Sequence, residues 1–539
     1  MTVDRGWGLR TVPPELVERY LAEGWWTDET LGSIVAGSVG QRADAELVIH
    51  SKVRPWRGTF GEVDRAARAF AAGLQAEGVG PGDVVLFQLP NWAEAAITFW
   101  GTAQLGAVIV PVVHFYGPKE VGYVLDVVRP KAVVTAARFG ATDFLANYRE
   151  MLAGHPDTAW FVVADEGEAL PARARPFREL LDAEPITGAV DTDPAGPAVI
   201  GFTSGTTRDP KGVIHSHRTL GFETRQLGAM SGAEGPPTLT GAPVGHFIGM
   251  LNALLIPLLK DQPIHLIDVW DPAEVLRVMR QEGIGMGGGA PYFFTSLLDH
   301  PDFTDEHLAA MPIAGMGGSS IPVAVTSRLS GLGIKVYRSY GSTEHPSITG
   351  CSVVDPEEKR LSTDGKVLPA VEMRLDDDGE ISSRGPDLFL GYTDPDLTAR
   401  VFDDDGWYRT GDVGMLDDDG YLTITDRISD IIIRGGENIS AQEVEEQLLG
   451  LPDVAEVAVV SAPDDRFGEH AAAIVRTVSG RPAPSIEQVR AHLAEVGLAK
   501  QKWPEEIHTV ADLPRTASGK VQKFKLRQQL RAGRLDHET

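Results

Sequence analysis

The segment Pro197-Ala198-Val199-Ile200-Gly201-Phe202-Thr203-Ser204-Gly205-Thr206-Thr207-Arg208-Asp209-Pro210-Lys211-Gly212-Val213 joins an apolar approach to a loop crowded with hydroxyls and glycines and closed by a lysine. Backbone N–H groups and hydroxyls gathered in one loop surround phosphate oxygens, and Lys211 adds charge. By composition alone, a flexible surface turn is the commoner reading of such a string. A Walker loop is excluded, because the lysine comes too late after Gly205 and Gly212 stands where a Ser or Thr is required. Ser518-Gly519-Lys520-Val521 fails as well, since valine offers magnesium no hydroxyl.

Around that loop, short β-branched runs alternate with helical stretches. Val84-Val85-Leu86-Phe87, Ala107-Val108-Ile109-Val110, Ala132-Val133-Val134 and Phe161-Val162-Val163 read as strands, and residues 62–77 carry Val63, Ala67, Phe70 and Leu74 at helical spacing. Alternation of this kind predicts parallel sheets covered on both faces. From about residue 371 short strands and Asp/Gly turns take over, as in Leu375-Asp376-Asp377-Asp378-Gly379-Glu380, which predicts a meander or small barrel. A helix beginning near Ser440 and a strand over residues 454–460 predict a compact α+β unit at the end. The formal GxGxxG at Gly283, Gly285 and Gly288 lacks a strand–turn–helix context, so close backbone packing or a roomy ligand wall is preferred to a dinucleotide site.

The chain has 539 residues, 42% of them hydrophobic, and single cores stop growing at roughly 250–300 residues, so a large body and at least one further domain are expected. A formal charge of −27 argues against nucleic acid as a partner, because neutralising phosphates needs a basic face. The local exception is the tail, where Arg515, Lys520, Lys523, Lys525, Arg527, Arg531 and Arg534 occur with no acidic residue between Asp512 and Asp536. The single cysteine, Cys351, rules out an intramolecular disulfide and reads as a small core residue in a reducing compartment. No secretory signal is evident, and the longest apolar run, 246–259, is shorter than the ~20 residues a bilayer span needs, so a cytoplasmic protein without a transmembrane segment is expected.

Five segments, in order, resemble the signatures of the adenylate-forming superfamily of acyl-CoA synthetases, peptide-synthetase adenylation domains and luciferases. They are the loop above; Tyr340-Gly341-Ser342-Thr343-Glu344; Tyr408-Arg409-Thr410-Gly411-Asp412; Asp426-Arg427 with Gly436-Glu437-Asn438-Ile439; and Pro514-Arg515-Thr516-Ala517-Ser518-Gly519-Lys520. The resemblance implies α/β plus α+β architecture: a body over residues 1–425, made of two doubly wound α/β subdomains and a small β-barrel, and a small mobile α+β lid over residues 426–539. It implies binding of ATP/AMP by Thr203, Ser204, Gly205, Thr206, Thr207, Lys211, Gly317, Gly318, Ser319, Tyr340, Gly341, Ser342, Asp412, Arg427 and Gly436. Tyr340 would stack on adenine, Asp412 accept the ribose hydroxyls, Arg427 reach ribose or phosphate, Thr343 bond the α-phosphate, and Glu344 ligate Mg2+. Lys520 would bridge the carboxylate and α-phosphate as they join. His246 would lie near the acid's carboxylate and the thiol tunnel; read by itself, a lone histidine beside an apolar run is more often a satisfied core residue.

The activity so implied is activation of a carboxylic acid as acyl-AMP, then transfer to coenzyme A. An ionised carboxylate is its own nucleophile at pH 7, so no general base has to be found. Phe247, Ile248, Met250 and small residues 287–290 predict an open apolar pocket for a medium- or long-chain fatty, alicyclic or aromatic acid. A carrier protein loaded in trans and a non-catalytic nucleotide-binding regulator are the alternatives, and a homodimer is one assembly left open. Three positions depart from the usual pattern: Arg208 replaces a loop glycine, Ser429 occupies the hinge position, and Phe247 stands where ligases for hydroxylated aryl acids carry asparagine.

Overall fold

Val84–Gln88, Val108–Pro111, Ala132–Ala136 and Ala159–Val163 have almost no polar face to turn to water, and they are buried as inner strands of an eight-stranded sheet. The computed structural model describes residues 6–203, 210–230, 236–260, 262–319, 321–434, 437–464, 466–516 and 519–535. In it the sheet runs Gly391–Tyr392, Lys211–Ser216, Pro197–Thr203, Val108–Pro111, Val84–Gln88, Ala132–Ala136, Ala159–Val163 and Ala174–Pro176. Its pairings are parallel except where Lys211–Ser216 meets its two neighbours. The predicted helix spans Phe60–Ala76, opens at a Thr59/Glu62 capping box, and buries Val63, Ala67, Phe70 and Leu74.

A second subdomain pairs Trp56–Thr59, Glu46–His50, Ile264–Ile267 and Leu239–Thr240. An isolated bridge from Thr238 to Gly285 leads on to Gly288–Gly289, Ile313–Met316, Lys335–Tyr340, Thr349–Gly350 and Lys366–Val367. Here the GxGxxG finds its explanation in packing: a Cβ on Gly285 would lie 1.9 Å from the Ala310 carbonyl oxygen. Where a small barrel is expected, Glu372–Leu375, Glu380–Arg384, Tyr408–Leu416 and Leu422–Arg427 form a four-stranded antiparallel sheet, with tight turns closed by Asp376 and Asp417. Cys351 is buried beside Thr363, and burial pushes its thiol pKa up.

Arg427 still belongs to the body's sheet, and the chain leaves it through the turn Ile428–Asp430. Beyond it, Glu437–Ile439, Ile432–Arg434, Gly468–Thr477 and Val454–Asp464 form a sheet with Glu506–Thr509 added beside Gly468–Thr477. Alternate residues of Val454–Asp464 feed two cores, Val459 one and Ala458 and Val460 the other, as strand periodicity requires. Ser440 caps the helix Ala441–Leu448 by accepting from the Glu443 N–H, and its own hydroxyl donates to the Thr425 carbonyl at 3.2 Å. Lys523 meets Glu445 at 2.7 Å, and Arg527 meets Asp430 at 3.0 Å. These two of the tail's seven cations are therefore neutralised internally.

At this junction Asp426 is buried, and burial raises its pKa to about 6 despite a hydrogen bond from Ser440 and the nearby Lys523 ammonium. A carboxyl whose folded pKa is raised stabilises the fold while protonated, and that contribution is lost as pH climbs from about 4 through 6. Asp426→Asn is therefore expected to gain about 2–3 kcal/mol on the wild type at pH 7.5 relative to pH 4. Denaturant unfolding of both proteins at the two pH values checks this; parallel pH profiles would remove Asp426 as the cause.

Candidate active site

The body and the C-terminal domain both line a cleft of about 2600 Å³. At one end Tyr340 closes the strand Lys335–Tyr340, while Asp412 and Arg427 face each other across paired strands of the four-stranded antiparallel sheet. The register brings them together: Tyr340 donates its hydroxyl to Asp412 Oδ2 at 2.8 Å, and Arg427 Nε lies 3.0 Å from Asp412 Oδ1. Burial and the Asp412 charge push the Tyr340 pKa well above its usual value, so it stays a donor; Asp412, first among the causes, holds Arg427 protonated. The result is a ring, a carboxylate and a guanidinium in a fixed group at the cleft wall.

Ser342, Thr343 and Glu344 follow in a turn secured from four directions. Ser342 N–H donates to the His345 carbonyl at 2.9 Å, His215 Nε2 lies 2.7 Å from the Thr343 carbonyl, and Phe389 N–H donates to that of Glu344 at 2.9 Å. Tyr392 gives its hydroxyl to Glu344 Oε1 at 2.8 Å. Burial holds His215 neutral, its pKa lowered to about 4, so Nε2 carries the proton it donates. Gly341 must be glycine, since a Cβ there would lie 1.8 Å from the Pro346 carbonyl oxygen.

Glu344 keeps Oε2 without a partner among the described residues, and no group of three His, Cys, Asp or Glu among them forms a self-contained metal site. One carboxylate plus substrate phosphates is how magnesium is commonly held, so the residues fit it. Thr203 and Lys211 pair in register at the base of a hairpin, and the Lys211 ammonium sits 5.6 Å from the Tyr392 ring centroid. Ser204, Gly205, Thr206 and Thr207 lie outside the described residues, as does Gly436. Gly317, Gly318 and Ser319 line the cleft beside Tyr340, Gly341 and Ser342.

His246 lies on the cleft wall as the cap of the helix Phe247–Met250. Burial lowers its pKa to about 4, so the ring is neutral at pH 7, and its Nδ1 has no partner among the described residues. The lid contributes Lys520 from a hairpin in which Arg515 bridges Val521. The preceding Gly519 abuts the body, where a Cβ on it would lie 3.4 Å from Ala290 Cβ and 3.5 Å from Tyr292 Cβ. Lys520 is reached by solvent through the open cleft, yet the walls press its pKa down, burial first and Arg427 second, with Asp412 and Asp430 opposing. Lys520 thus shares one electrostatic neighbourhood with Asp412 and Arg427.

The AMP-binding enzyme family matches residues 37–393, and its C-terminal domain matches residues 443–520. The medium-chain fatty-acid–CoA ligase of Escherichia coli is 32% identical over 526 residues, covering 95% of this chain and 92% of that one. The chain belongs to the AMP-binding enzymes, as an acyl-CoA synthetase. A Rhodococcus jostii ligase for 3-[(3aS,4S,7aS)-7a-methyl-1,5-dioxo-octahydro-1H-inden-4-yl]propanoate and CoA is 35% identical over 483 residues, 87% of this chain and 93% of that protein. In structure the synthetase superposes on ATP-bound MatB from Rhodopseudomonas palustris with a TM-score of 0.82 at 27% identity, covering 94% of this chain and all of that one.

Several residues that shape the site carry no signal in the sequence. Tyr392 and His215, which fix the Glu344 turn of the synthetase, come from strands of the eight-stranded sheet. Beneath the turn, His345 Nδ1 lies 2.7 Å from Ser383 Oγ and Nε2 3.2 Å from Asp387, while Ser347 donates to Glu223 at 2.9 Å. Burial and then Asp387 raise the Glu223 pKa well above normal. Among the described residues no helix is long and apolar enough to cross a membrane.

Proposed function

We propose that the synthetase runs two half-reactions in one cleft, with the lid supplying a different face to each. The observation that carries this reading is Lys520, which the lid holds beside Asp412 and Arg427 with Gly519 seated on Ala290 and Tyr292. In the first half-reaction Tyr340 stacks on adenine, Asp412 accepts the ribose hydroxyls, Arg427 reaches ribose or phosphate, and the Thr343 hydroxyl bonds the α-phosphate. The acid's carboxylate oxygen attacks the α-phosphorus, and pyrophosphate leaves with the electron pair. Lys520 bridges the two anions where charge accumulates, which favours the transition state over the separated reactants. Magnesium held by Glu344 would, when bound, neutralise the leaving pyrophosphate.

In the second half-reaction the thiol sulfur of coenzyme A bonds to the acyl carbon, its proton passes to solvent, and AMP departs. The lid turns about Ile428–Asp430, releasing Arg527 from Asp430 and bringing the face around Arg434 to the cleft. Arg434, now held by Glu505 at 2.7 Å, would exchange that partner. The acid is read as a bulky hydrophobic one, alicyclic in preference to a plain chain. Support comes from Gly287, Gly288 and Gly289, which line the same cleft as Ile248 and Phe247, and from the bicyclic acid named for the Rhodococcus relative. Cys351, a lone buried thiol, suits a cytoplasmic setting.

The test is pyrophosphate release from ATP over a panel of acids, followed by thioester formation with coenzyme A or with a carrier protein. Acid-dependent release with thioester on coenzyme A is expected. Thioester on the carrier alone would move the assignment to a carrier-loading ligase, and no acid-dependent release from any acid would leave a nucleotide-binding regulator.

A further inference from the structure

Residues 246–259 form one wall of the cleft, and nearly every side chain in that stretch turns inward. Phe247, Met250, Leu251, Ala253, Leu254, Leu255, Ile256 and Leu258 are buried, whereas Ile248 and Asn252 are exposed and line the cleft. Asn252 is the one polar side chain between His246 and Leu259. It lies in Leu251–Leu255, a π-helical turn, a rare form that recurs at functional sites. Its amide, a donor and an acceptor, has no side-chain partner among the described residues.

We infer that the acid carries a second oxygen function, a ketone or hydroxyl on its ring, and that Asn252 reads it. An unsubstituted hydrocarbon packed against this part of the wall would strip water from the amide and leave it unpaired, an arrangement that penalises binding. A leucine would serve such a substrate better. A substrate oxygen replaces the lost water and turns the same amide into a discriminator, because a site that hydrogen-bonds an oxygen rejects the analogue lacking it. The position sets a distance. His246 caps the helix six residues before Asn252, and at no more than about 1.5 Å per residue the Asn252 backbone lies up to ~9 Å further along the wall. Ile248 and Ile256, four residues to either side, give it apolar flanks. A propanoate on a six-membered ring with an oxygen opposite spans that length.

The inference rests on the ligase reading, and its test separates the two. Purified enzyme is assayed for pyrophosphate release and CoA thioester with 3-(4-oxocyclohexyl)propanoic acid and with 3-cyclohexylpropanoic acid. Wild type is expected to favour the oxo acid by about tenfold in kcat/KM, the equivalent of one hydrogen bond. Asn252→Leu should reverse that order, raising the deoxy acid while lowering the oxo acid, and Asn252→Ala, which adds no bulk, should abolish the preference. Equal handling of both acids by wild type overturns the inference, as does a preference that both variants keep. Activity on unsubstituted alkanoic acids with none on the oxo acid also overturns it while the ligase reading stands. Failure of every acid to release pyrophosphate overturns both.

Discussion

Lys520→Ala is expected to reduce acid-dependent pyrophosphate release on the order of 10³-fold, the scale of removing a positioned cation from a phosphoryl-transfer transition state. The same variant should convert supplied acyl-AMP and coenzyme A into thioester at close to the wild-type rate. The split follows from geometry. Lys520 belongs to a lid hairpin that meets the body through Gly519 on Ala290 and Tyr292 and through Arg515 over the Tyr292 ring, and its ammonium is felt by Arg427 and Asp412. Once the lid turns about Ile428–Asp430, that hairpin leaves the cleft and the lysine has nothing left to stabilise. Pyrophosphate exchange and single-turnover thioester assays measure the halves independently. Equal loss in both would mean that Lys520 serves the whole cleft, and the two-faced lid would be wrong.

The lowered pKa of Lys520 points the same way. Burial and then the Arg427 guanidinium make the charged form costly. Two anions, the carboxylate and the triphosphate, reverse that balance, so the lysine is poised for a guest with negative charge. Arg527 on Asp430 ties the last helix to the hinge turn, and Lys523 on Glu445 joins two helices within the C-terminal domain, so neither pair spends Lys520 itself.

What could be read beforehand depended on how local each feature is. The inner strands of the large sheet were legible because a run such as Val84-Val85-Leu86-Phe87 has no polar alternation and can only be buried on both faces. The helix Phe60–Ala76 was legible from its apolar spacing, and the Thr59/Glu62 pair marks its start. Tyr340, Asp412, Arg427 and Lys520 were legible because each sits in a contiguous signature. Tyr392 was not, since its contact with Glu344 spans 48 residues of sequence, and His215 was not, since it reaches Thr343 across 128. The same holds for Glu223, 124 residues from Ser347 and hidden inside the helix His217–Met230. Asn252 lay within an apolar run whose one visible message was burial; only the path of the wall shows that its side chain opens onto the cleft. Pairings of this kind are created by sheet order, and strand order is not written in any one strand.

Asp412→Asn should lower kcat/KM for ATP by at least about 100-fold, chiefly through KM. Asp412 is where three demands meet: it accepts the Tyr340 hydroxyl, compensates the Arg427 charge and, by the reading above, takes both ribose hydroxyls. Each hydrogen bond to an ionised group is worth roughly 1.5–3 kcal/mol, so weakening two of them at the nucleotide accounts for about two decades or more. Losing the charge also leaves Arg427 without its first source of stabilisation, freeing the guanidinium to leave the ribose end of the cleft. Tyr340→Phe separates these contributions: it deletes one bond to Asp412 but keeps ring and carboxylate, and should cost less than tenfold. Thermal unfolding of the variants must stay near wild type for the kinetic comparison to stand. If Asp412→Asn leaves the KM for ATP within about threefold, the carboxylate is a structural brace for Tyr340 and Arg427, and the ribose is held elsewhere.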